Sequence, residues 1–315
     1  MIDNFGRNID YVRISVTDLC NLRCVYCMPE EGTKKLRHSD ILSVEEIEEI
    51  AIAAAELGIK KVRLTGGEPL VRKGIFDIIS RIARIPGIRE VALTTNGTLL
   101  AKHAADLKKA GLNRVNVSVD AFDPDAYREI TRGGEIDSVM TGIRAAIDAG
   151  LTPIKLNAVL MGGINDSLIK PLVALTEDAD FRVRFIEIMP IGECADWNKK
   201  RFVSVSKVLE VEPELEHIGT DGVSNLYRKP GSKGSVGLIS PISSHFCPTC
   251  NKLRITSDGK LKPCLHSAEE IELRGLHGEE LKETIKNAIL AKPYKHELQT
   301  ESTSRSRRGM SKIGG

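Results

Sequence analysis

The chain has 315 residues, 41% apolar and 28% charged, which allows one large α/β domain or two smaller ones with a sizeable core. Its 45 Lys and Arg against 43 Asp and Glu leave a formal net charge of +2, which gives no global case for nucleic acid or an anionic membrane as partner. No apolar run reaches bilayer-spanning length and residues 1–7 lack the layout of a signal peptide, so a cytoplasmic protein with no membrane contact is expected.

In chain order, residues 11–16 (YVRISV) read as the first strand. Ser43 followed by Glu46 forms a capping box at the head of a helix that puts Ile47, Ile50 and Ala54 on one face and stops at Gly58. Residues 62–65 give the second strand, with a helix over 74–83. Strand 91–95 leads to helix 99–110, and strand 115–119 to helices 123–130 and 138–149. Strands 154–160 and 183–188 enclose a helix over 167–178. Short, apolar, β-branched strands alternating with helices predict a parallel sheet with right-handed crossovers and both faces covered. Six such units, fading after about Met189, favour a partial TIM-type (βα)6 barrel over one of eight units. An open doubly wound sheet is the alternative. The expected division is a barrel over 1–190, a C-terminal region over 191–298 with a last helix at 279–290, and a tail over 299–315. That tail is polar and basic, ends in Gly314 and Gly315, and is marked by composition alone as flexible.

Six of the seven cysteines fall in two groups, and only Cys194 stands alone. In a reducing cytosol grouped cysteines hold metal or do chemistry more often than they form disulfides. Cys20, Cys24 and Cys27, at C-x3-C-x2-C spacing, follow the first strand directly. They therefore lie at the carboxyl end of the sheet, where βα barrels build active sites. Three thiolates can ligate three irons of a cubane, leaving the fourth open, and an open metal position is a catalytic feature. A zinc site completed by a histidine such as His38 is the competing reading. Cys247, Cys250 and Cys264, at C-x2-C-x13-C spacing, repeat the count of three. They read as a second cluster with its own open iron, or, with His245 or His266 alongside, as a Cys3His zinc knuckle.

The C-x3-C-x-Y-C loop, with Gly66, Gly67, Glu68 and Pro69 after the second strand, resembles the radical S-adenosylmethionine superfamily. The pair of cysteine groups with the Gly-Gly end is similar, over nearly the whole chain, to the GTP 3′,8-cyclases that begin molybdenum cofactor biosynthesis. The resemblance implies two 4Fe-4S clusters: one on Cys20, Cys24 and Cys27 that binds S-adenosylmethionine, and one on Cys247, Cys250 and Cys264 that contacts guanine. It assigns Tyr26, Gly67, Ser118 and Met189 to S-adenosylmethionine, and Arg13, Arg63, Thr94, Lys155 and the stretch Lys252, Leu253, Arg254 to GTP. The family pattern at that stretch is Arg-x-Arg; Lys252 keeps the charge without the planar fork. Gly314 and Gly315 match a family ending that reaches into the active site.

The implied reaction is hydrogen abstraction from the ribose C3′ of GTP, followed by attack of that carbon on guanine C8. The implied partners are the substrate GTP, an external one-electron donor and a downstream cyclic pyranopterin synthase, with a homodimer left open. The residues agree with an anionic substrate: Arg13 and Arg63 lie on strands where a packing strand would avoid charge, and Lys155 starts the fifth. Three cations on neighbouring strands would converge on a barrel interior and suit phosphate. A peptide maturase of the same superfamily and a two-cluster electron-transfer protein are the rival readings.

Overall fold

The computed structural model describes the whole chain except residues 35, 297, 299–302 and 315, and the side chains of 198 and 199. Strands β1 (Tyr11–Ser15), β2 (Lys61–Thr65), β3 (Glu90–Thr95), β4 (Arg114–Ser118), β5 (Lys155–Leu160) and β6 (Arg182–Glu187) pair in sequence order, all parallel. The crossovers are helices α1 (Val44–Glu56), α2 (Ile75–Ala83), α3 (Leu100–Lys109), α4 (Pro124–Thr131), α5 (Ile136–Asp148) and α6 (Ile169–Asp178).

Local chemistry sets these elements. Ser43 accepts from the Glu46 amide at 3.1 Å while Glu46 accepts from the Ser43 amide at 2.7 Å, closing the capping box at the head of α1. Alternation along the strands then sorts side chains by face. Val12, Ile14, Val62 and Leu64 join Ile47, Ile50, Ile78 and Ile79 of the helices in a continuous apolar layer. Arg13 and Arg63, one residue out of phase, line a cavity on the other side.

The C-terminal third adds what the sequence pattern did not show. Strands β7 (Glu216–Asp221) and β8 (Ser224–Arg228) form an antiparallel hairpin that leads to β9 (Ser235–Ile239), and β9 lies parallel to β6. Strand β10 (Lys252–Ile255) lies parallel to β1 at the opposite edge, followed by β11 (Lys260–Lys262) and β12 (Ile271–Glu272). One sheet of twelve strands results, in the order β12-β11-β10-β1-β2-β3-β4-β5-β6-β9-β8-β7. The six predicted strands are thus flanked by a further parallel strand on each edge. Neither belongs to a strand–helix repeat, so the rhythm that revealed the first six is silent about them. Side chains from all eight parallel strands line the one cavity, so the sheet curls into an incomplete barrel.

Helices α7 (Asn198–Arg201), α8 (Lys207–Val211) and α9 (Gly278–Leu290) come after β6, and α9 packs against α1. A last helical turn, α10 (Met310–Ile313), belongs to the tail. Residues 303–314 are not loose. The Ser304 amide donates to the Pro190 carbonyl at 3.0 Å, and Ile313 is buried. Composition failed there because one buried apolar side chain and a few charged contacts hold the segment. Residues 299–302 and Gly315 lie outside the described residues. Among the described residues no helix is long and apolar enough to cross a membrane.

Candidate active site

The cavity opens at the carboxyl ends of the parallel strands, and both cysteine groups border it. Cys20, Cys24 and Cys27 sit in the loop after β1, all with free thiols. The turn after β2 clasps that loop. The Gly67 amide donates to the Thr17 carbonyl at 2.9 Å and the Glu68 amide to the Leu19 carbonyl at 2.8 Å. A Cβ on Gly67 would lie 2.4 Å from the Leu19 oxygen, so only glycine allows this approach. Glu68, fully buried, accepts from the Leu70 amide at 3.0 Å, the Thr95 hydroxyl at 2.8 Å and the Asn96 amide at 2.7 Å. It joins the ends of β2 and β3 beneath the cysteine loop. Burial pushes its carboxyl up to about 7 despite those three donors.

Burial, with the charges of Asp120 and the neighbouring cysteines, raises the Cys24 thiol well above its ordinary value, and burial with Cys20 pushes Cys27 up to about 12. Coordination to iron reverses that cost by replacing the proton with a cation. Tyr26 donates to Asp120 Oδ2 at 2.8 Å, while Asp120 Oδ1 accepts from the Val159 amide at 2.8 Å. Ser118 and Met189 line the same end of the cavity. Cys194, buried, donates to the Tyr26 carbonyl at 3.1 Å and also borders the space.

Cys247, Cys250 and Cys264 face the cavity from the other side. Burial would raise the Cys250 thiol, but the charges of Lys292 and Lys252 bring it below its ordinary value. The buried Lys292 ties this segment together, donating to the Lys252 carbonyl at 2.9 Å and the Pro263 carbonyl at 2.7 Å. Arg7 donates to the Cys247 carbonyl at 3.1 Å. His245, His266 and His296 stack edge to face, with ring centroids 4.6 Å apart in both pairs. Among the described residues no three His, Cys, Asp or Glu side chains converge at single-ion spacing. A cubane is ligated at separate corners and needs instead three thiols around a shared space.

Between the two groups the wall is cationic. Arg13, Arg63, Arg184, Lys252 and Arg254 all line the cavity. The Nε atoms of Arg13, Arg63 and Arg184, together with Thr94 Oγ1 and Asn157 Oδ1, are buried without a hydrogen-bond partner. Buried polar atoms are normally satisfied, so this set points to a polar, anionic occupant. Tyr11 lies under three of the cations: Arg63 at 5.4 Å, Lys252 at 5.8 Å and Arg13 at 5.9 Å from the ring centroid. Arg254 donates to the Gly314 carbonyl at 2.5 Å.

Two assigned residues sit elsewhere. Leu253 is buried in the apolar layer, because the alternation that turns Lys252 and Arg254 inward turns it outward. It is core and does not face the cavity. Lys155 does not line the cavity and sits 2.5 Å from Asp221 of the β7–β8 hairpin; Asp221 also accepts from Arg184 at 2.5 Å and Arg182 at 3.2 Å. Sequence reasoning missed Arg184 and Asn157, both of which line the cavity. Arg184 carried the same signal as Arg13, a charge inside an apolar strand, and could have been found by it.

The chain matches the radical SAM superfamily family model over residues 14–175 and the Molybdenum Cofactor Synthesis C model over residues 181–298. It is 53% identical over 320 residues to the GTP 3′,8-cyclase of Alkaliphilus oremlandii, covering 100% of both chains. It is 54% identical over 320 residues to that of Alkaliphilus metalliredigens, again covering 100% of both. Among solved structures, Streptococcus suis SuiB bound to S-adenosylmethionine shares the fold, with a TM-score of 0.60 at 15% identity over 96% of this chain and 78% of that one. Two cysteine triads around one cationic cavity, on a chain alike from end to end, lead to one family: the chain belongs to the GTP 3′,8-cyclases of the radical S-adenosylmethionine superfamily.

Proposed function

We propose that the chain converts GTP to (8S)-3′,8-cyclo-7,8-dihydroguanosine 5′-triphosphate, the first step of molybdenum cofactor biosynthesis. The observation that carries this reading is the row of buried, unpartnered guanidinium nitrogens between two cysteine triads. Cys20, Cys24 and Cys27 would hold one 4Fe-4S cluster, and Cys247, Cys250 and Cys264 the other. When bound, the first cluster and S-adenosylmethionine supply a carbon radical able to take hydrogen from an unactivated C–H bond.

The protein's own part is placement, charge and exclusion of water. Tyr26, fixed by Asp120, and Gly67, pressed to the cysteine loop, shape the S-adenosylmethionine end with Ser118 and Met189. Arg13, Arg63, Arg184, Lys252 and Arg254 would hold the triphosphate, with Thr94 as a neutral contact. Lys155 would serve from behind, sharing its charge between Asp221 and the incoming anion. The Gly-Gly end would pack against the bound nucleotide.

The reading extends to an external one-electron donor, since each radical costs an electron, and to a cyclic pyranopterin synthase that consumes a reactive product. It places the work in the cytoplasm, where thiols and clusters stay reduced. It also divides the chain into a barrel over 1–190, a cluster-bearing region over 191–298 and a tail over 299–315.

Anaerobically reconstituted protein should carry about eight irons, four per cubane. With S-adenosylmethionine, GTP and dithionite it should yield a nucleotide of unchanged GTP mass that is no longer GTP. Replacing either triad by alanine should halve the iron and abolish that product. Stoichiometric zinc in place of iron would overturn the reading.

A further inference from the structure

We infer that Arg308 is a positioning residue for this reaction: it clamps the tail at one point and so sets where residues 309–314 lie in the cavity. The guanidinium is used on both sides. It donates to Asp258 Oδ1 at 2.8 Å and Oδ2 at 2.9 Å, and to Glu270 Oε1 and Oε2 at 2.7 Å each. Both carboxylates are anchored independently. Asp258, in the turn between β10 and β11, accepts from the Thr256 hydroxyl at 2.6 Å. Glu270 is paired with the fully buried Lys262 at 3.4 Å. Two bidentate pairs on one side chain need the planar fork of arginine.

Beyond Arg308 the tail reaches the chemistry. Gly309 passes so close to Gly192 that a Cβ on Gly192 would lie 2.9 Å from the Gly309 Cα. Met310 and Ser311 line the cavity that Cys27 also borders. The Gly314 carbonyl accepts from Arg254, and a Cβ on Gly314 would lie 2.2 Å from Thr65 Oγ1. The tail therefore runs from the cavity wall shared with the first triad to a cation beside the second. Residues 303–309 are threonine, serine, arginine and glycine, with no apolar anchor, so packing within this stretch cannot hold the register. The clamp does so by charge, two residues before the tail enters the cavity.

The turnover arm of the test rests on the functional reading above; the structural arm does not. Arg308→Ala and Arg308→Lys are made in the full chain, with Asp258→Asn as a variant that breaks the clamp from its other side. All are reconstituted anaerobically, and iron content and thermal midpoint should match the unaltered protein, because Arg308 lies outside the core. Hydrogen exchange of the 311–314 amides should quicken at least tenfold, as expected when a locally held segment is released. Turnover should fall on the order of a hundredfold while KM for GTP moves little, the mark of misplaced reacting groups. Arg308→Lys should remain impaired, having one donor cluster where the fork made two pairs. Unchanged exchange in all three variants would overturn the clamp. If the unaltered protein itself makes no cyclised nucleotide, the functional reading fails, and the exchange comparison still decides the clamp.

Discussion

Burial, reinforced by the charge of Arg184, pushes the Lys155 ammonium down to about 7, against the pull of Asp221. The arginines beside it stay protonated whatever their burial costs, because guanidinium does not titrate in this range. The pH response of the empty cavity therefore falls on lysine. A lysine whose folded value is depressed favours its neutral form from about pH 7 upward, and a bound triphosphate restores the charge. Binding must then take up a proton above pH 7, so affinity falls as pH rises. We expect the Kd for GTP to rise between pH 7 and pH 9, by at most about tenfold per unit. Lys155→Gln should reduce that slope, and Lys252, which burial also pushes down to about 7, should carry the remainder. Calorimetry in two buffers of different ionisation enthalpy reads the proton directly, and a flat profile in the unaltered protein would mean that both Lys155 and Lys252 stay charged. Charge within an apolar strand made Lys155 legible in the sequence as a cation of the interior. Its partner Asp221 was not, because it arrives from a hairpin with no motif of its own.

Elements pack closely where the site is built. Gly142 on α5 has no room for a side chain: a Cβ there would lie 2.5 Å from the Gly97 carbonyl oxygen and 3.0 Å from the Leu100 Cβ of α3. Alanine would gain up to about 1 kcal/mol of helix propensity. A backbone oxygen cannot swing aside as a side chain does, and overpacking costs about 1–3 kcal/mol, so the clash wins. Gly142→Ala should lower the thermal midpoint, and it should disturb the turn at Asn96 that bonds Glu68. Unfolding midpoints measured side by side check the sign. The helices and first six strands were legible because each carries its own period and punctuation. Strands β9 and β10 were not, since their parallel partners β6 and β1 sit far off in sequence. The Lys252, Leu253, Arg254 stretch shows the opposite failing. A motif carried over as a block took Leu253 along, although simple alternation assigns it to the core.

At the scale of the whole molecule, the last third of the chain supplies both edges of the parallel array. A fragment of residues 1–190 would leave β1 and β6 with unpaired backbone on their outer sides. Exposed edges of this kind invite association. That fragment should be recovered mainly as aggregate, whereas the full chain should elute as a defined species; size-exclusion chromatography of both distinguishes the outcomes. Synthesis runs from β1 toward the tail, so the pieces that close the cavity leave the ribosome after the first six strands. A nascent chain at β6 is an open trough with the first three cysteines already in place. Whatever must be loaded there has its widest access before β9, β10 and residues 309–314 take their places.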